Sequence, residues 1–473
     1  MGRLQKQLEE YAHSDYYPYH MPGHKRRLFG EALAPIAAWD ITEIDGFDNL
    51  HDAKGILQQL QRRAAEVYGA EESFFLINGS TSGILSAVSA ALPAGGKLLM
   101  VRGCHKSAYH AAYLRSLEVT YLQTGLHPAF GCVLAATAAQ VERALAQDAA
   151  IQAVLIVSPT YEGLTAETAE IAKAAHERGI PLLVDEAHGA HLGFHQGWQP
   201  NASRLGADLV IQSLHKTLPS MTQTAILHVN GELIDRQKLR RFLEIYQSSS
   251  PSYIFMAGME EAIEMTAAGA EKLFGAFEKN WHEMRERLGG CKALRFLQEE
   301  NMDKGKLVMM DGTGCLSGKQ LYDKLLNQYH LQLEMAAGRY ALAMFTIGDT
   351  TEGYERLTEA LLEIDRELIL ISGHRSLTGG EPCGQQEEWI CLKQRYPLCE
   401  AWDKETEKVP LMEAAGRAAG SFVVPYPPDI PVVVPGEIMT KEVCYYLQKC
   451  VEDGLTVQGI EERNHQLYVE MIK

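Results

Sequence analysis

The chain has 473 residues, more than one hydrophobic core usually supports, so two or three domains are expected. Its formal net charge of −17 argues against a nucleic-acid-binding protein, which usually presents a basic face. No apolar run approaches the length of a membrane span, the first residues lack the apolar segment of a signal peptide, and the nine cysteines are scattered. We therefore expect a cytoplasmic protein with reduced thiols.

Residues 1–50 carry little hydrophobic periodicity but many aromatic side chains, including Tyr16, Tyr17 and Tyr19. They are predicted to form an N-terminal arm that lies on another domain or subunit.

Residues 51–255 begin with an amphipathic helix at 55–68 and then alternate apolar runs with helical patterns, which predicts a large ligand-binding domain. The candidate strands are residues 73–77, 97–101, 119–122, 153–157, 182–185, 209–212 and 225–229. The candidate helices between them are residues 83–91, 139–147 and 166–178. Continuous apolar strands separated by helices predict an α/β fold with a mainly parallel seven-stranded sheet, and ligands bind such sheets beyond the carboxyl ends of the strands.

The rest of the chain is predicted to form two smaller parts. Residues 256–372 form a small α/β domain, with a long helix at 256–288, strands at 307–310 and 341–345, and a helix at 318–328. Residues 373–384 are rich in Gly, Ser, Thr and Pro and are predicted to link it to a C-terminal domain at 373–473. The prolines of residues 426–437 require an extended segment there.

Lys216 follows the predicted strand 209–212 directly and is flanked by Ser213, His215 and Thr217. Lysine is rarely buried unless it is paired or chemically used, and a partly desolvated amine can attack a carbonyl. The neighbouring hydroxyl and imidazole groups could donate hydrogen bonds to an anion. Lys216 is therefore a candidate Schiff-base lysine for pyridoxal phosphate (PLP), although this pentapeptide alone favours an ordinary surface lysine.

Residues 78–83 (NGSTSG) follow a predicted strand and open a helix, as an anion site would. The hydroxyls of Ser80, Thr81 and Ser82 and the free amides of the helix start suit a phosphate monoester, since a nucleoside triphosphate site would carry a lysine here. The alternative is an ordinary capped helix start.

Asp185 ends another predicted strand, where a buried carboxylate needs a cation or a strong donor such as the pyridinium nitrogen of PLP. His188, His191 and His195 follow it and raise the alternative of a metal site, but glycines interrupt the segment and no second ligand cluster accompanies it. His105 follows a further strand and could stack on a planar ring or be structural.

Five segments together resemble the bacterial Orn/Lys/Arg decarboxylases, namely residues 78–83, 105–107, 158–163, 185–188 and 213–216. Residues 21–25, 49–55 and 426–437 also resemble that family. The resemblance implies a PLP enzyme of the aspartate-aminotransferase fold (fold type I). Within the family, the chain resembles the short form, which has no wing domain and is similar to biosynthetic arginine decarboxylase. One departure is Asp429, which stands where the family usually has glycine and bears on the local turn.

The resemblance also implies roles for individual residues. Lys216 would bind PLP covalently, Asp185 would pair with its ring nitrogen and His105 would stack on its ring. His188 would lie near the ring face or its O3′ side, and no metal is expected. The residues expected around the phosphate are Ser80, Thr81, Ser82, Ser213 and His215. The substrate candidates are Thr160, Glu162 and Glu437, and the acidic residues of 43–48 join the two glutamates as candidates for contact with a cationic end.

The expected reaction is α-decarboxylation of a basic amino acid to its amine and CO₂. Arginine is favoured, with lysine or ornithine as alternatives, and the enzyme is expected to be a homodimer or a higher homo-oligomer. One alternative is a PLP-dependent aminotransferase or another lyase on the same fold, in which Arg339 could grip the α-carboxylate. Another is a catalytically silent binding protein that retains the fold.

Overall fold

The computed structural model describes residues 2–26, 30, 32–372, 392–426 and 429–473. The predicted linker at 373–384 lies outside the described residues, as do Pro427 and Pro428 of the predicted extended segment. Across the described ranges, no helix combines the length and the apolar character needed to cross a bilayer.

The described chain alternates strands and helices through its first half and becomes richer in short strands after residue 290. The strands are β1 (Glu72–Leu76), β2 (Lys97–Val101), β3 (Glu118–Leu122), β4 (Ala153–Val157), β5 (Leu182–Asp185), β6 (Leu209–Gln212), β7 (Ala225–Val229), β8 (Leu294–Phe296), β9 (Lys306–Asp311), β10 (Met335–Ala336), β11 (Tyr340–Met344), β12 (Thr406–Pro410), β13 (Val424–Tyr426), β14 (Thr456–Gln458), β15 (Ile460–Arg463) and β16 (Gln466–Ile472). The helices are α1 (Arg3–Ala12), α2 (Ala34–Ala37), α3 (Ile56–Tyr68), α4 (Gly79–Ala91), α5 (Lys106–Leu114), α6 (Ala138–Gln147), α7 (Thr168–His176), α8 (Leu214–Thr217), α9 (Arg236–Tyr246), α10 (Tyr253–Leu288), α11 (Gly318–Tyr329), α12 (Thr351–Ser372), α13 (Leu398–Ala401) and α14 (Lys441–Glu452).

The largest sheet has seven strands in the order β1-β7-β6-β5-β4-β2-β3. Its β2–β3, β4–β5 and β5–β6 pairs are parallel, whereas β7 runs antiparallel to both β1 and β6. Strands β5, β6 and β7 are buried along their whole length, as their continuous apolar runs require. The predicted α/β fold with a mainly parallel seven-stranded sheet is confirmed.

The chain forms two compact units, and the first comprises Met1–Pro93, Ala153–Ser158 and Glu167–Gly275. Here α4 packs closely on the sheet, because a Cβ on Gly83 would lie 2.6 Å from a Leu76 methyl group and 2.8 Å from one of Ile211. Strands β1, β5 and β6 run in the same direction, since β7 is antiparallel to its two neighbours. Their carboxyl ends therefore meet at the edge where α4 begins.

The second unit comprises Ala94–Gln152, Pro159–Ala166 and Ala276–Lys473. It holds a four-stranded antiparallel sheet in the order β10-β11-β9-β8, a three-stranded sheet β12-β16-β15 and the pair β13-β14. An apolar core near the C-terminus joins α14 to these short strands through Val443, Leu447, Val457 and Met471. The predicted division at residues 50, 255 and 372 stays a prediction.

The N-terminal region corrects one expectation, because residues 3–12 are helical rather than lacking periodicity. Leu4 and Leu8 of α1 are fully buried, and the carboxylate of Glu260 accepts hydrogen bonds from the backbone N–H groups of Arg3 and Leu4. Leu4, Leu8, Tyr11 and Ala12 do fall at helical spacing, so this short pattern was a signal that the sequence analysis missed.

Candidate active site

The amine of Lys216 lies at the carboxyl edge of the first unit's sheet. Strand β6 ends at Gln212, and the short helix α8 then carries Lys216 one turn beyond the strand. Its Nζ is 3.1 Å from Nε2 of His188, which follows the neighbouring strand β5. The structure thus brings together two predicted residues that are 28 positions apart.

Asp185 is the last residue of β5, and only 8% of it is exposed. One carboxylate oxygen accepts the Ala187 backbone N–H at 3.1 Å, and the backbone oxygen of Asp185 accepts the N–H of Ser158. The following residue is tied to β6, because the Glu186 N–H donates to the Ile211 oxygen. These links hold Asp185 at the same strand edge as Lys216.

Glu186 begins a buried polar chain that sequence reasoning missed. Its carboxyl group accepts from Gln212 Nε2 at 2.6 Å and from the Ala202 N–H at 2.9 Å. The chain continues from Gln212 Oε1 to His228 Nε2 at 3.1 Å, and from His228 Nδ1 to the Ser73 hydroxyl at 2.7 Å. Burial raises the pKa of Glu186 to about 8 and lowers that of His228 to about 3, so both groups are largely neutral at pH 7.

The predicted phosphate residues at the start of α4 have different exposures. Ser80 is half-buried, Thr81 is exposed and Ser82 is buried, with its hydroxyl donating to the Gly79 oxygen at 2.8 Å. Gly79 has a φ of 73°, a left-handed conformation that favours glycine and lets the chain turn from β1 into the helix. The first backbone N–H groups of α4 have no acceptor within the helix, and they lie at the same edge of the sheet.

Two hydroxyls flank Lys216 in the interior. Ser213 and Thr217 are buried, and within the described part of the chain neither side-chain oxygen has a hydrogen-bond partner. His215 donates from Nδ1 to the Thr224 oxygen at 2.8 Å, and burial lowers its pKa. Its Nε2 could donate to a phosphate only if the ring were charged, which a nearby phosphate would favour.

The second unit holds the other four predicted residues, His105, Thr160, Glu162 and Glu437. Glu437 is buried and its Oε2 accepts from Nη2 of Arg102 at 3.0 Å and from the Val434 N–H at 2.8 Å. Burial of Arg102 disfavours the charge of its guanidinium group. The neighbouring Glu437 carboxylate nevertheless holds the pKa of Arg102 above its ordinary value. Arg102 was not among the predicted residues, but an arginine directly after a buried strand is a signal that could have been used.

The side chain of Glu162 also has a hydrogen-bond partner inside the protein. Its Oε1 accepts from the Tyr340 hydroxyl at 2.5 Å, and burial raises the pKa of this carboxyl group. Thr160 is buried, and its Oγ1 accepts from the Leu164 N–H at 3.2 Å, which closes a tight turn around Glu162. The substrate contacts predicted for these residues and for Glu437 stay predictions.

His105 caps the N-terminus of α5. Its Nδ1 accepts the Ser107 backbone N–H at 3.2 Å, and its Nε2 lies 3.3 Å from a carboxylate oxygen of Asp429. Asp429 has a φ of 67°, so the turn keeps a conformation that favours glycine although the residue is aspartate.

The three histidines behind the metal alternative have different neighbours. His191 contacts the ring of Trp198 edge-on, with 4.8 Å between the ring centroids. His195 stacks on Phe274 with 5.7 Å between centroids, and His188 lies beside Lys216. Among the residues that the structure describes, no group of three metal-binding side chains comes together.

Comparison with known proteins decides the family. The sequence profile described as "Orn/Lys/Arg decarboxylase, major domain" matches residues 3–329, and the one described as "Orn/Lys/Arg decarboxylase, C-terminal domain" matches residues 391–472. The chain belongs to the Orn/Lys/Arg decarboxylase family. An arginine decarboxylase from Bacillus subtilis (strain 168) is 31% identical over 96% of this chain and 94% of its own length. The resemblance expected from the motifs is therefore confirmed, and the chain is an amino acid decarboxylase.

Solved structures confirm the fold. The lysine decarboxylase LdcF of Francisella novicida superposes with a TM-score of 0.84 at 17% identity, covering 100% of this chain and 81% of that one. A more distant likeness is a structure described as "SPT with PLP", with a TM-score of 0.53 at 15% identity over 66% of this chain and 76% of that one. The fold is that of fold-type-I enzymes, and fold and family together imply PLP as the cofactor.

Proposed function

We propose that this chain is a PLP-dependent decarboxylase that removes the α-carboxylate of a basic amino acid, with arginine as its first substrate. The observation that carries the proposal is the position of the Lys216 amine, 3.1 Å from His188 at the carboxyl edge of β5 and β6. Asp185 lies at the end of β5, so an amine, an imidazole and a carboxylate share one sheet edge. This is the combination that a covalently held pyridine cofactor requires.

The residues at this edge fit PLP. The buried hydroxyls of Ser213 and Thr217, which lack a partner within the described chain, supply donors on both sides of Lys216. The start of α4 adds free N–H groups and the half-buried Ser80, which suit the dianionic phosphate. We assign attachment to Lys216, the ring nitrogen to Asp185, and the phosphate to Ser80, Thr81, Ser82, Ser213 and His215.

When bound, PLP supplies a ring that accepts the electron pair left behind as CO₂ departs. The chain's own contribution is charge and protons. The Asp185 carboxylate supplies the negative charge, and burial keeps the next residue in the chain, Glu186, largely protonated at pH 7. The proton shared by Nζ of Lys216 and Nε2 of His188 is positioned for delivery to Cα after CO₂ has left.

Arginine is placed first because the Bacillus subtilis relative bears that name, whereas the Francisella novicida structure is a lysine decarboxylase. Among the acidic residues of 43–48, Glu43 and Asp45 are exposed. By contrast, Asp48 accepts backbone N–H groups from Asn49, Lys54 and Gly55.

The test is a product assay with arginine, lysine, ornithine, citrulline, glutamate and tyrosine at equal concentrations. We expect amine and CO₂ in equal amounts from arginine. Citrulline, which has nearly the shape of arginine without its charge, should be poorer by roughly ten- to a hundredfold in kcat/KM, since a charge-assisted contact is worth about 1.5–3 kcal/mol. A keto acid product would indicate an aminotransferase, and equal rates on glutamate would overturn the substrate class.

The proposal also includes a cytoplasmic homodimer or higher homo-oligomer. Tyr16, Tyr17 and Tyr19 are 69%, 51% and 90% exposed in the single chain, and aromatic side chains left in water are typical of contact surfaces. Sedimentation of the active enzyme at assay concentration measures the oligomeric state directly, and a fully active monomer would contradict the proposed oligomer.

A further inference from the structure

We infer that Gln212 is a positioning residue that holds the ends of strands β5 and β6 together and thereby fixes the spacing of Asp185 and Lys216. The inference rests on the proposed function, which assigns the ring nitrogen to Asp185 and the attachment of PLP to Lys216. Gln212 is the last residue of β6 and is fully buried within the first unit. It acts on the site through the two strand ends that it joins.

Gln212 is the central link of the buried polar chain. Its Nε2 donates to Glu186 Oε2 at 2.6 Å, and its Oε1 accepts from His228 Nε2 at 3.1 Å. The ring of His228 is bonded in turn to the Ser73 hydroxyl. The four members lie on β1, on β7, on β6 and directly after β5, which is the order of these strands in the sheet. The buried polar chain therefore crosses four neighbouring strands, and Gln212 links β6 to the end of β5.

The side-chain link is made where the regular pairing of β5 and β6 ends. Their parallel register ends at Asp185 and Ile211. Just beyond it, the Glu186 N–H donates to the Ile211 oxygen at 2.9 Å, but the Ser213 N–H makes a longer bond of 3.4 Å across the same gap. Continuing the register by one position pairs Glu186 with Gln212. Their side-chain bond thus joins the two strands just past the last regular pair.

This link is close along the chain to both assigned residues. Asp185 directly precedes Glu186, and Lys216 lies one turn of α8 beyond Gln212. The contact of 3.1 Å between Lys216 Nζ and His188 Nε2 joins the same two strand ends. Since a hydrogen bond is largely lost beyond about 3.5 Å, a small separation of these ends would break that contact.

An amide suits this position because it is neutral and carries both a donor and an acceptor. An apolar residue would leave Glu186 and His228 each without one hydrogen bond, which buried polar groups rarely lack. A buried polar network whose members are bonded to each other favours one arrangement of the strands over small displacements. Such a fixed arrangement is what two groups that hold one cofactor require.

The experiment compares Gln212→Met, which keeps the length of the side chain but removes both bonds, with the wild type. The first readout is the rate at which acetic anhydride modifies Lys216 in the apoprotein, mapped by mass spectrometry and referred to Lys279, which is 73% exposed. We expect Gln212→Met to raise this rate about threefold, because the amine loses a hydrogen bond to His188. The second readout is PLP affinity, which should fall about fivefold.

A second variant breaks the same bond from its other side. Glu186→Leu should change both readouts in the same direction as Gln212→Met. In the double variant, Gln212→Met should add less than about twofold to the effect of Glu186→Leu, since the bond is already absent. Fully additive effects, or unchanged readouts in either single variant, would overturn the inference.

Ser73→Ala is the matched control, because it removes a link of the same buried polar chain but leaves the bond between Gln212 and Glu186. It should lower the midpoint of unfolding while both readouts at the site stay within about twofold of wild type. If the readouts instead follow the unfolding midpoint across all variants, Gln212 is only structural. Acetylation is measured without the cofactor, so a wild-type chain that binds no PLP would count against the proposed function and not against this inference.

Discussion

Two buried glutamates, one in each unit, keep their carboxyl groups inside the protein in different ways. Glu437 is paired with Arg102, and both side chains are 2% exposed. Glu186 is equally buried, but its hydrogen-bond partners are the neutral Gln212 side chain and the Ala202 N–H. Burial raises the pKa of both carboxyl groups, but the Arg102 cation opposes the rise at Glu437. Glu186 has no such cation, so its pKa rises to about 8 and the acid holds a proton.

The difference matters for how each carboxyl group is held. A protonated Glu186 needs no cation, so its neutral hydrogen-bond partners are sufficient. In the second unit, the charged pair ties strand β2 to the segment 431–437, because Arg102 also donates to the backbone oxygens of Pro431 and Val432. One buried acid is held as a neutral group, whereas the other ties two segments together through an ion pair.

The largest expected effect comes from breaking the charged pair. Arg102→Leu leaves Glu437 buried without its cation and should lower the free energy of unfolding by about 3–5 kcal/mol. The measurement is the midpoint of denaturant unfolding of the holoenzyme. As a control, Lys408→Met removes one partner of the exposed Lys408–Glu461 pair and should leave the midpoint nearly unchanged.

A double variant sharpens the result. Because the penalty of Arg102→Leu comes from the uncompensated carboxylate, adding Glu437→Leu should recover part of the lost stability. A double variant that is less stable than Arg102→Leu alone would mean that the backbone hydrogen bonds of Arg102, rather than its charge, stabilise this region.

Glu186→Gln is expected to have an effect that depends on pH. The folded pKa of about 8 lies above the unfolded value of 4.5, so folding retains a proton that the unfolded chain releases. The stabilisation is complete below about pH 4.5 and is lost as the pH rises toward 8, at about 1.4 kcal/mol per pH unit. Wild-type stability should fall with pH at this rate relative to Glu186→Gln, as measured by unfolding midpoints between pH 5 and 8.

Glu142→Gln serves as the matched control, since Glu142 is exposed on α6. Its stability should change with pH in parallel with the wild type. If Glu186→Gln also ran parallel to the wild type, Glu186 would be ionised in the folded state, and the contrast with Glu437 would be lost.

The sequence was a good guide to the sheet and a poorer one to the N-terminus. The predicted bounds of β2, β4, β5, β6 and β7 agree with the structure, because a strand buried on both faces must be apolar along its length. Helix α1 was missed although its apolar residues fall at helical spacing, and the Glu260 carboxylate that accepts its first N–H groups is more than 250 residues away in the sequence. Helices α5, α9 and α12 were also not predicted.

At the site, the sequence indicated which residues lie at strand ends but not which partners they have. The rule that parallel strands end at one edge is enough to bring Asp185, His188 and Lys216 together. The contacts of Glu162 with Tyr340 and of Glu437 with Arg102 join residues 178 and 335 positions apart, and no local pattern reveals such pairs. Acidic residues selected as substrate contacts can therefore prove to have internal partners.

The central claim is that Lys216 carries the cofactor, and reductive trapping tests it most directly. Purified protein is loaded with PLP, reduced with borohydride, digested and mapped by mass spectrometry for the lysine that gains the pyridoxyl phosphate. The account predicts that the label lies on Lys216, and that Lys216→Ala folds normally but is unlabelled there and has lost nearly all turnover. A label on another lysine, such as Lys106, or full activity in Lys216→Ala would contradict it.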